Sequence, residues 1–399
     1  MKGPTLGEVV DLQRGNTYKS KLIGDHGLPL LGLGSIARDG GFRGDALRLY
    51  PGPTDPRHVL VSGDIYVSLK DVTQSGDLLG AVARLPPDIP QGRLTQDTVK
   101  LIQKSDYDAD MLYWALRTPQ YRAHCRAHAM GTTNLSISRK DFLAFELPES
   151  TQATASLVEL LGALDDKIEL NRRMGATLEG MARALYRSWF VDFDPVRAKM
   201  EGHAPAHMDP ATAALFPDRL GKDGLPEGWK LRELRDLLTL NYGKALRKDR
   251  RVPGPYPVVG SGGDSGSHKD ALVSGPTIVV GRKGTVGSIH WRPKGCWPID
   301  TAFYATSELP DSFVLESLRE QPLADMNTDA AVPGLNRENA YRLEVPWGGD
   351  AVITAFSATA GLLRARADAA EDEAQSLAAL RDALLPRLMS GELRVPVNA

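Results

Sequence analysis

The sequence predicts an α/β (α+β) chain with two similar globular domains, two long helices pairing as an antiparallel coiled coil, and a pseudo-two-fold internal repeat. Three observations carry this expectation. First, short anchors in the first 150 residues recur in the same order further on. Leu6-x-Glu8-x-x-Asp11 returns as Leu231-x-Glu233-x-x-Asp236, Ser62-Gly63 as Ser274-Gly275, and Asp97-Thr98 as Asp300-Thr301. The run Ile137-x-Arg139-x-Asp141, with Glu146 and Pro148 after it, returns as Leu335-x-Arg337-x-Asn339, with Glu344 and Pro346. Second, the separation shrinks steadily, from 225 to 212, 203 and 198 residues, as it would if the second copy had shorter loops. A period near 200 residues is far too long for a solenoid unit and implies two whole domains of one kind. Third, each set of anchors is followed by a long stretch with helical periodicity.

Taken in order, residues 1–150 read as a first globular domain, with strand-like runs at Val59–Val61 and Ile65–Val67 among Gly- and Pro-rich turns. A helix is expected over Asp110–His128. A long helix follows from about Ala153 to Phe190, inside a segment 151–194. Its apolar positions Leu157, Leu161, Leu164, Ile168, Leu178, Leu185 and Trp189 are spaced by threes, fours and their multiples, as a coiled-coil seam requires. Asn171 falls on that seam, where it either fixes register or faces solvent. Asp194-Pro195 should end the helix, because proline lacks the donor and biases its predecessor away from helical angles. Residues 195–228 read as a connector with little core-building capacity. A second domain is expected over 229–348, and a second helix from about Ala351 to Met389, in a segment 349–394. Helices of about forty residues would each span roughly 60 Å at 1.5 Å per residue, a ruler with a head at each end.

At 399 residues, 42% hydrophobic and 25% charged, the composition is that of an ordinary globular protein of two or three domains. No apolar run is long enough to span a membrane, and Met1-Lys2-Gly3-Pro4 lacks a signal-peptide stretch, so a cytoplasmic location is expected. Cys125 and Cys296 cannot form a disulfide framework and lack zinc spacing. His124 and His128 lie four apart without a third ligand, so no metal site is expected. The net charge of −2 disfavours a stand-alone nucleic-acid binder. It hides an asymmetry: residues 240–300 hold ten Lys and Arg against four Asp, a local excess of +6. One surface is charged for an anionic partner.

The candidate contact residues follow from that excess and from position in the repeat. In the second domain they are Lys244, Arg247, Lys248, Arg250 and Arg251, with Ser261, Gly262 and His268 in a small, polar, glycine-rich loop. Arg282 and Lys283 lie in Gly281–Gly287, which lacks the spacing of a phosphate-binding P-loop. In the first domain Arg14, Tyr18, Lys19, Ser20 and Lys21 follow the Leu6 anchor as Lys244–Lys248 follow its repeat; Arg38 and Arg43 flank Gly40-Gly41. Arginine and lysine suit guanine edges and phosphates. Arg139 and Arg337 recur in equivalent places, which points to a structural ion pair, since two heads reading different bases would not share a reader. No adenine-methylase, Walker or nuclease motif occurs, so the chain reads as non-catalytic.

Several stretches closely resemble the specificity subunit of type I restriction–modification systems: Leu178–Val196, with its run Tyr186-Arg187-Ser188-Trp189-Phe190-Val191-Asp192-Phe193-Asp194-Pro195; Leu225-Pro226-Glu227-Gly228-Trp229; Ile278–Gly287; Trp297-Pro298-Ile299-Asp300-Thr301; and Leu384–Leu393. The resemblance covers essentially the whole chain. It implies two target recognition domains, each reading half of a bipartite, asymmetric site on double-stranded DNA, with the helices setting the unread spacer. It implies as partners two methyltransferase subunits, which use S-adenosylmethionine for adenine-N6 methylation, and nuclease/translocase subunits, which use ATP and Mg. This chain itself would bind no cofactor. Docking of the methyltransferases on the conserved helices would involve Leu178, Met181, Leu185, Trp189, Phe190, Leu380, Leu384 and Leu388. A non-catalytic two-headed scaffold binding protein or another polymer is the alternative that the residues alone leave open.

Overall fold

The computed structural model describes residues 3–390, apart from Asp39, Ala46, Thr73, Gln74, Thr133 and residues 327–333. It divides into two compact units, Met1–Glu169 with Gln375–Ala399, and Leu170–Ala374. Each unit takes one sheet-rich head together with a portion of both long helices.

The first unit opens with a short turn of helix, α1 (Leu6–Val9), leading into β1 (Val10–Arg14). There follow β2 (Leu28–Leu31), β3 (Leu49–Tyr50), β4 (Val59–Val61), β5 (Ile65–Ser68), β6 (Lys70–Asp71), β7 (Val82–Arg84), β8 (Gln91–Leu94) and β9 (Thr98–Gln103). The expected helix over 110–128 is two helices, α2 (Ala109–Ala115) and α3 (Pro119–Ala127). The break is local chemistry: the Thr118 side chain caps the second helix by accepting from the Tyr121 amide, and Pro119 fits the first turn, where no amide donor is needed. The head closes with β10 (Ala129–Met130), β11 (Leu135–Ile137) and α4 (Arg139–Leu143), before the long α5 (Gln152–Phe190).

Strands β1-β9-β5-β7 form an antiparallel sheet, and β3-β2-β8-β4 a second sheet in which β2 and β8 run parallel. Strand β5 is buried on both faces, because the first sheet lies between two cores. Ile65 and Val67 pack with the helices, alongside Met111, Trp114, Tyr121 and Phe142, while Tyr66 points into a smaller core with Leu31, Leu60 and Leu94. Leu157, Val158 and Leu161 of α5 belong to the larger core, as does Leu385 of the second long helix.

After α5 come α6 (Asp194–Met200) and α7 (Pro210–Ala214). The second head then runs β12 (Lys230–Glu233), α8 (Leu234–Leu237), β13 (Thr239–Tyr242), β14 (Tyr256–Gly260), β15 (Gly263–His268), β16 (Val273–Ser274), β17 (Thr277–Gly281), β18 (Ile289–Arg292), β19 (Gly295–Pro298) and β20 (Ala302–Thr306). It ends with α9 (Asp311–Glu320), α10 (Arg337–Tyr341), β21 (Glu344–Trp347) and the long α11 (Asp350–Ser390). Its sheets, β13-β20-β17-β18 and β15-β14-β19-β16, reproduce those of the first head strand for strand, including the parallel pair β14–β19. Strand β17 is again two-sided: Ile278 and Val280 face the main core, and Val279 packs with Val259, Cys296 and Ala302.

This equivalence corrects two anchors. The Leu6 amide donates to the Phe145 carbonyl, and the matching bond runs from Leu234 to Leu343, both at 2.8 Å. Leu6 therefore matches the buried Leu234 rather than Leu231, which is 45% exposed. The slip is three residues, close to one helical turn, over which a Leu-x-acidic pattern repeats itself. Likewise Gly15 donates to the Thr98 carbonyl as Gly243 does to that of Ala302, so the Asp300-Thr301 pairing is one residue out. The Ser62-Gly63 anchor holds, with Gly63 and Gly275 both in the left-handed region, at φ 89° and 82°. Arg139 and Arg337 also match, and Arg337 lies 3.8 Å from Glu338. Each guanidinium donates to a carbonyl of the first strand, Arg139 to Leu12 at 2.7 Å and Arg337 to Leu240 at 3.4 Å.

Both long helices span the expected residues to within a position or two. The seam holds from Leu157 to Asn171 and then moves to Ala182, Tyr186, Trp189 and Phe190, leaving Leu178 and Leu185 half-buried. A straight helix drifts by ~20° per seven residues against a fixed seam, so the buried stripe cannot stay on one set of positions. Asn171 is buried and donates to Glu373 at 2.9 Å. Further along, Glu179 accepts from Arg364 at 2.6 Å, so the numbering rises on one helix as it falls on the other: the portions in this unit pair antiparallel. Pro195 behaves differently from expectation. Phe193 takes a left-handed conformation (φ 55°), α5 stops at Phe190, and the proline sits in the first turn of α6, a new helix. Nor is 195–228 without a core role, since Val196 and Phe216 are buried with Trp189 and Trp229.

Below that junction lies a buried charged network. Glu316, 2% exposed, accepts from Arg319 at 2.9 Å and from Arg364 at 3.4 Å. Burial pushes its carboxyl above the ordinary range, against the pull of both guanidiniums. Removing one arginine leaves a buried carboxylate half compensated, so Arg364→Ala is expected to cost roughly 3 kcal/mol, read as a lowered urea midpoint. Adding Glu316→Gln to it should restore part of the loss; a double variant no more stable than the single one would refute this account.

Candidate nucleic-acid interface

In the second unit three loops converge on Ser261, at the β14–β15 turn. Its hydroxyl donates to the Lys283 carbonyl, its amide donates to Thr301 Oγ1 at 3.4 Å, and its own carbonyl accepts from Ser288 and meets His290 Nε2 at 3.0 Å. The glycine-rich loop and the Gly281–Gly287 loop are thus brought together. Ser261 itself is buried, however, and its expected contact role is corrected: it is the knot, and the exposed Gly262 beside it is the part a partner can approach. Lys283 is exposed at the same rim, with no ion pair among the described residues.

The second-domain cations sort by what already occupies them. Lys244, Lys248 and Arg250 are exposed, and no ion pair holds them among the described residues. Arg247 lies 3.3 Å from Asp249. Arg251 is half-buried and donates to the Leu246 and Ser265 carbonyls, so it folds the loop rather than offering charge, against expectation. Arg282 donates to the Asp300 carbonyl at 2.5 Å and lies 5.3 Å from the centre of the Tyr242 ring. His268 is also corrected. It is 7% exposed, its Nδ1 accepts from the Val252 amide at 3.1 Å, and its ring meets Trp297 edge-on.

In the first unit Lys19, Ser20 and Lys21 are exposed on a 3-10 turn, Ser20–Leu22, that matches the turn Lys248–Arg250 of the second. Arg14 is exposed and donates through Nε to the Gln96 carbonyl. Tyr18 is half-buried, accepts from Arg48 at 2.8 Å and stands edge-on to Tyr50. Arg38 is exposed, while Arg43 is paired with Asp45 at 2.7 Å and holds that carboxyl below its ordinary range.

Sequence reasoning missed the residues that hold these loops. Arg93, 2% exposed, donates to Asn16 Oδ1 at 2.6 Å and to the Thr17 carbonyl at 3.0 Å, with its guanidinium over the Tyr50 ring. At the equivalent place Trp297 donates through Nε1 to the Lys244 carbonyl at 2.8 Å and packs on His268. Register confirms the equivalence, since Leu28 pairs with Tyr50 as Tyr256 pairs with His268. Lys70 was missed too. It is the counterpart of Lys283, because Ile137 donates to the Leu69 carbonyl as Leu335 does to that of Arg282. Lys70 is half-exposed and lies 3.7 Å from Asp97.

The residues expected to dock a partner fare unevenly. Trp189 and Phe190 are buried in the unit's own core, against Phe216, Trp229, Phe313 and Phe356, and offer no surface; this corrects the expectation. Leu185 and Leu384 are half-buried against cores of their own units, and Leu178 is half-buried. Met181 and Leu380 remain about half exposed. Leu388 lies outside the described side chains. Both cysteines are buried, which pushes the Cys125 thiol up to about 11 and that of Cys296 to about 12, so neither is a nucleophile at neutral pH. Among the described residues no cluster of three or more His, Cys, Asp or Glu is placed to hold a metal, and no helix is long and apolar enough to cross a membrane.

Comparison with known proteins bears on the same elements. Residues 226–308 match the type I restriction modification DNA specificity domain, a span from just before β12 to just past β20. The type I restriction enzyme HindI specificity subunit of Haemophilus influenzae is 26% identical, over 63% of this chain and 69% of that one. The MjaIX specificity subunit of Methanocaldococcus jannaschii is 24% identical over 36% of this chain and 30% of its own. A crystal structure of the type I restriction–modification S subunit from M. genitalium has the same fold, with a TM-score of 0.54, 20% identity, and 96% and 95% of the two chains covered. The duplicated heads and the paired helices agree with these matches: part of the second head matches the type I restriction modification DNA specificity domain, and the chain is similar to type I restriction enzyme specificity subunits.

Proposed function

We propose that this chain selects the DNA site for a type I modification and restriction complex, without chemistry of its own. Each head reads one half of a bipartite, asymmetric target. The paired helices set the spacer and dock two methyltransferase subunits, whose S-adenosylmethionine supplies the methyl group for adenine N6. Nuclease/translocase subunits using ATP and Mg would complete the assembly, in the cytoplasm where its DNA lies. The observation that carries the reading is the duplication itself. Two heads share strand order, pinned first strands and braced loops, but the exposed residues of those loops differ, as two readers of different half-sites require.

Within the loops, Lys19, Lys21, Arg38, Lys244, Lys248, Arg250 and Lys283 are the proposed DNA contacts, with Arg14, Lys70 and Arg247 beside them and Gly262 allowing close backbone approach. Exposed lysines are suited to phosphates, which position a protein on the duplex without reading sequence. Met181 and Leu380 are the proposed apolar contacts for a partner on the helices. Near-neutral net charge fits a subunit whose partners contribute to holding the backbone.

The deciding experiment is genome-wide mapping of methylated adenines in cells carrying this chain with its methyltransferase; a bipartite motif with a fixed spacer is the expected result. Exchanging residues 1–150 for another family member's head should change one half of that motif only, and an unchanged motif would sink the proposal. Deleting one helical turn, about 5.4 Å, from both long helices should shift the spacer by one or two base pairs or abolish methylation; activity at the old spacing refutes the ruler. Lys283→Ala and Lys248→Ala should each weaken duplex binding evenly across sequences and lower the slope of log affinity against log salt by about 1. A change confined to one base position would instead mark that lysine as a reader.

A further inference from the structure

Where the two heads should be alike, one has a cleft and the other a filled space. In the first unit a cleft of about 190 Å³ opens between the end of β1, the start of β9 and strands β6 and β11. Its rim carries Arg14, Lys70, Asp97 and Arg139, three cations against one carboxylate. Leu69, Val99 and Ile137 give it an apolar floor. The counterparts in the second unit follow from register: Arg14 faces Val99 as Tyr242 faces Phe303, Leu69 matches Arg282, and Arg139 matches Arg337. There the space is occupied. The Tyr242 ring packs 5.0 Å from Phe303, with the Arg282 guanidinium 5.3 Å and that of Arg337 5.2 Å from its centre.

We propose that the cleft of the first unit is a stacking site for a nucleotide, seating a planar base where the second unit keeps its own tyrosine. The retained half of the arrangement is Arg139, placed by its bond to the Leu12 carbonyl as Arg337 is by Leu240. A guanidinium plane stacks on bases as it does on aromatic rings. The missing ring leaves an apolar floor that a base would cover. Arg14 uses Nε on the Gln96 carbonyl, and its two terminal nitrogens take no protein acceptor among the described residues, leaving a fork suited to a phosphate. Lys70 adds charge on the same side. The volume falls below the roughly 300–1,000 Å³ of sites for larger ligands, so it suits one ring system with its phosphate at the mouth. The proposal rests on the DNA reading only for its source of nucleotide, which is either a base extruded from the duplex or a free mononucleotide.

The test titrates the full chain, by calorimetry or NMR, with deoxyadenosine monophosphate, thymidine monophosphate and inorganic phosphate. The nucleotides are expected to bind at least ten-fold more tightly than phosphate, and equal affinities would overturn the stacking site. Arg14→Tyr imports the ring of the other head and should lose at least ten-fold in nucleotide affinity with an unchanged melting temperature. Arg139→Lys keeps the charge, removes the plane and should weaken nucleotide but not phosphate. Undiminished nucleotide binding in both variants refutes the proposal. To separate the sources, 2-aminopurine is placed at successive positions of the methylated motif in the complex with methyltransferase. A fluorescence rise abolished by Arg14→Tyr identifies the duplex; nucleotide binding without such a rise identifies the free ligand. Absence of both, with salt-dependent duplex binding intact, removes the cleft proposal and leaves the DNA reading standing. Loss of duplex binding as well brings down that reading.

Discussion

Each head depends on closing a long excursion of chain. The carbonyl of Leu12 and the guanidinium of Arg139 are 127 residues apart, and those of Leu240 and Arg337 are 97 apart, yet in both heads the late arginine is tied to the first strand. Closing loops of this length costs entropy that grows only slowly with length, and the buried two-sided sheet offsets it. Once the first strand is held by its neighbour in the sheet, by the amide bond at Leu6 or Leu234 and by this arginine, the loop that leaves it has a fixed point of departure. Everything proposed for the contact loops requires that fixed point.

The second requirement is met further along the same loop. Arg93 in one head and Trp297 in the other reach from the central strand of the second sheet to a carbonyl just past the first strand. A guanidinium on a tyrosine and an indole on a histidine are different chemistries performing one task. Each spends a side-chain donor on a backbone carbonyl, and the direction of that bond is what makes such a brace specific as well as stabilising. It also explains why aromatic and basic residues in these regions divide into those that meet solvent and those that do not.

That division marks the limit of what the sequence disclosed. The duplication, the order of head and helix and the span of both long helices were legible, because they rest on periodicity and on anchors that recur. The register of the Leu6 anchor was not, since a leucine–acidic pattern three residues away fits a helical turn equally well. Among the basic residues, Lys19 and Lys248 could not be told from Arg251 by composition; only the position of a carbonyl decides which cation is spent within the loop. His268 was misread for the same reason, its partners being set by strand pairing. Trp189 and Phe190 were expected at a docking face from the resemblance alone, and a resemblance does not show what covers the apolar side of a helix.

The acceptors of both braces have an evolutionary consequence. A backbone carbonyl is supplied by every amino acid, so mutation within the loop does not erase the group that Arg93 or Trp297 grips. Drift can explore new side chains at the tip while the geometry of the loop is inherited unchanged. A protein whose usefulness lies in acquiring new specificities would gain from such an arrangement, in which variation and foldability are carried by different atoms of the same residues.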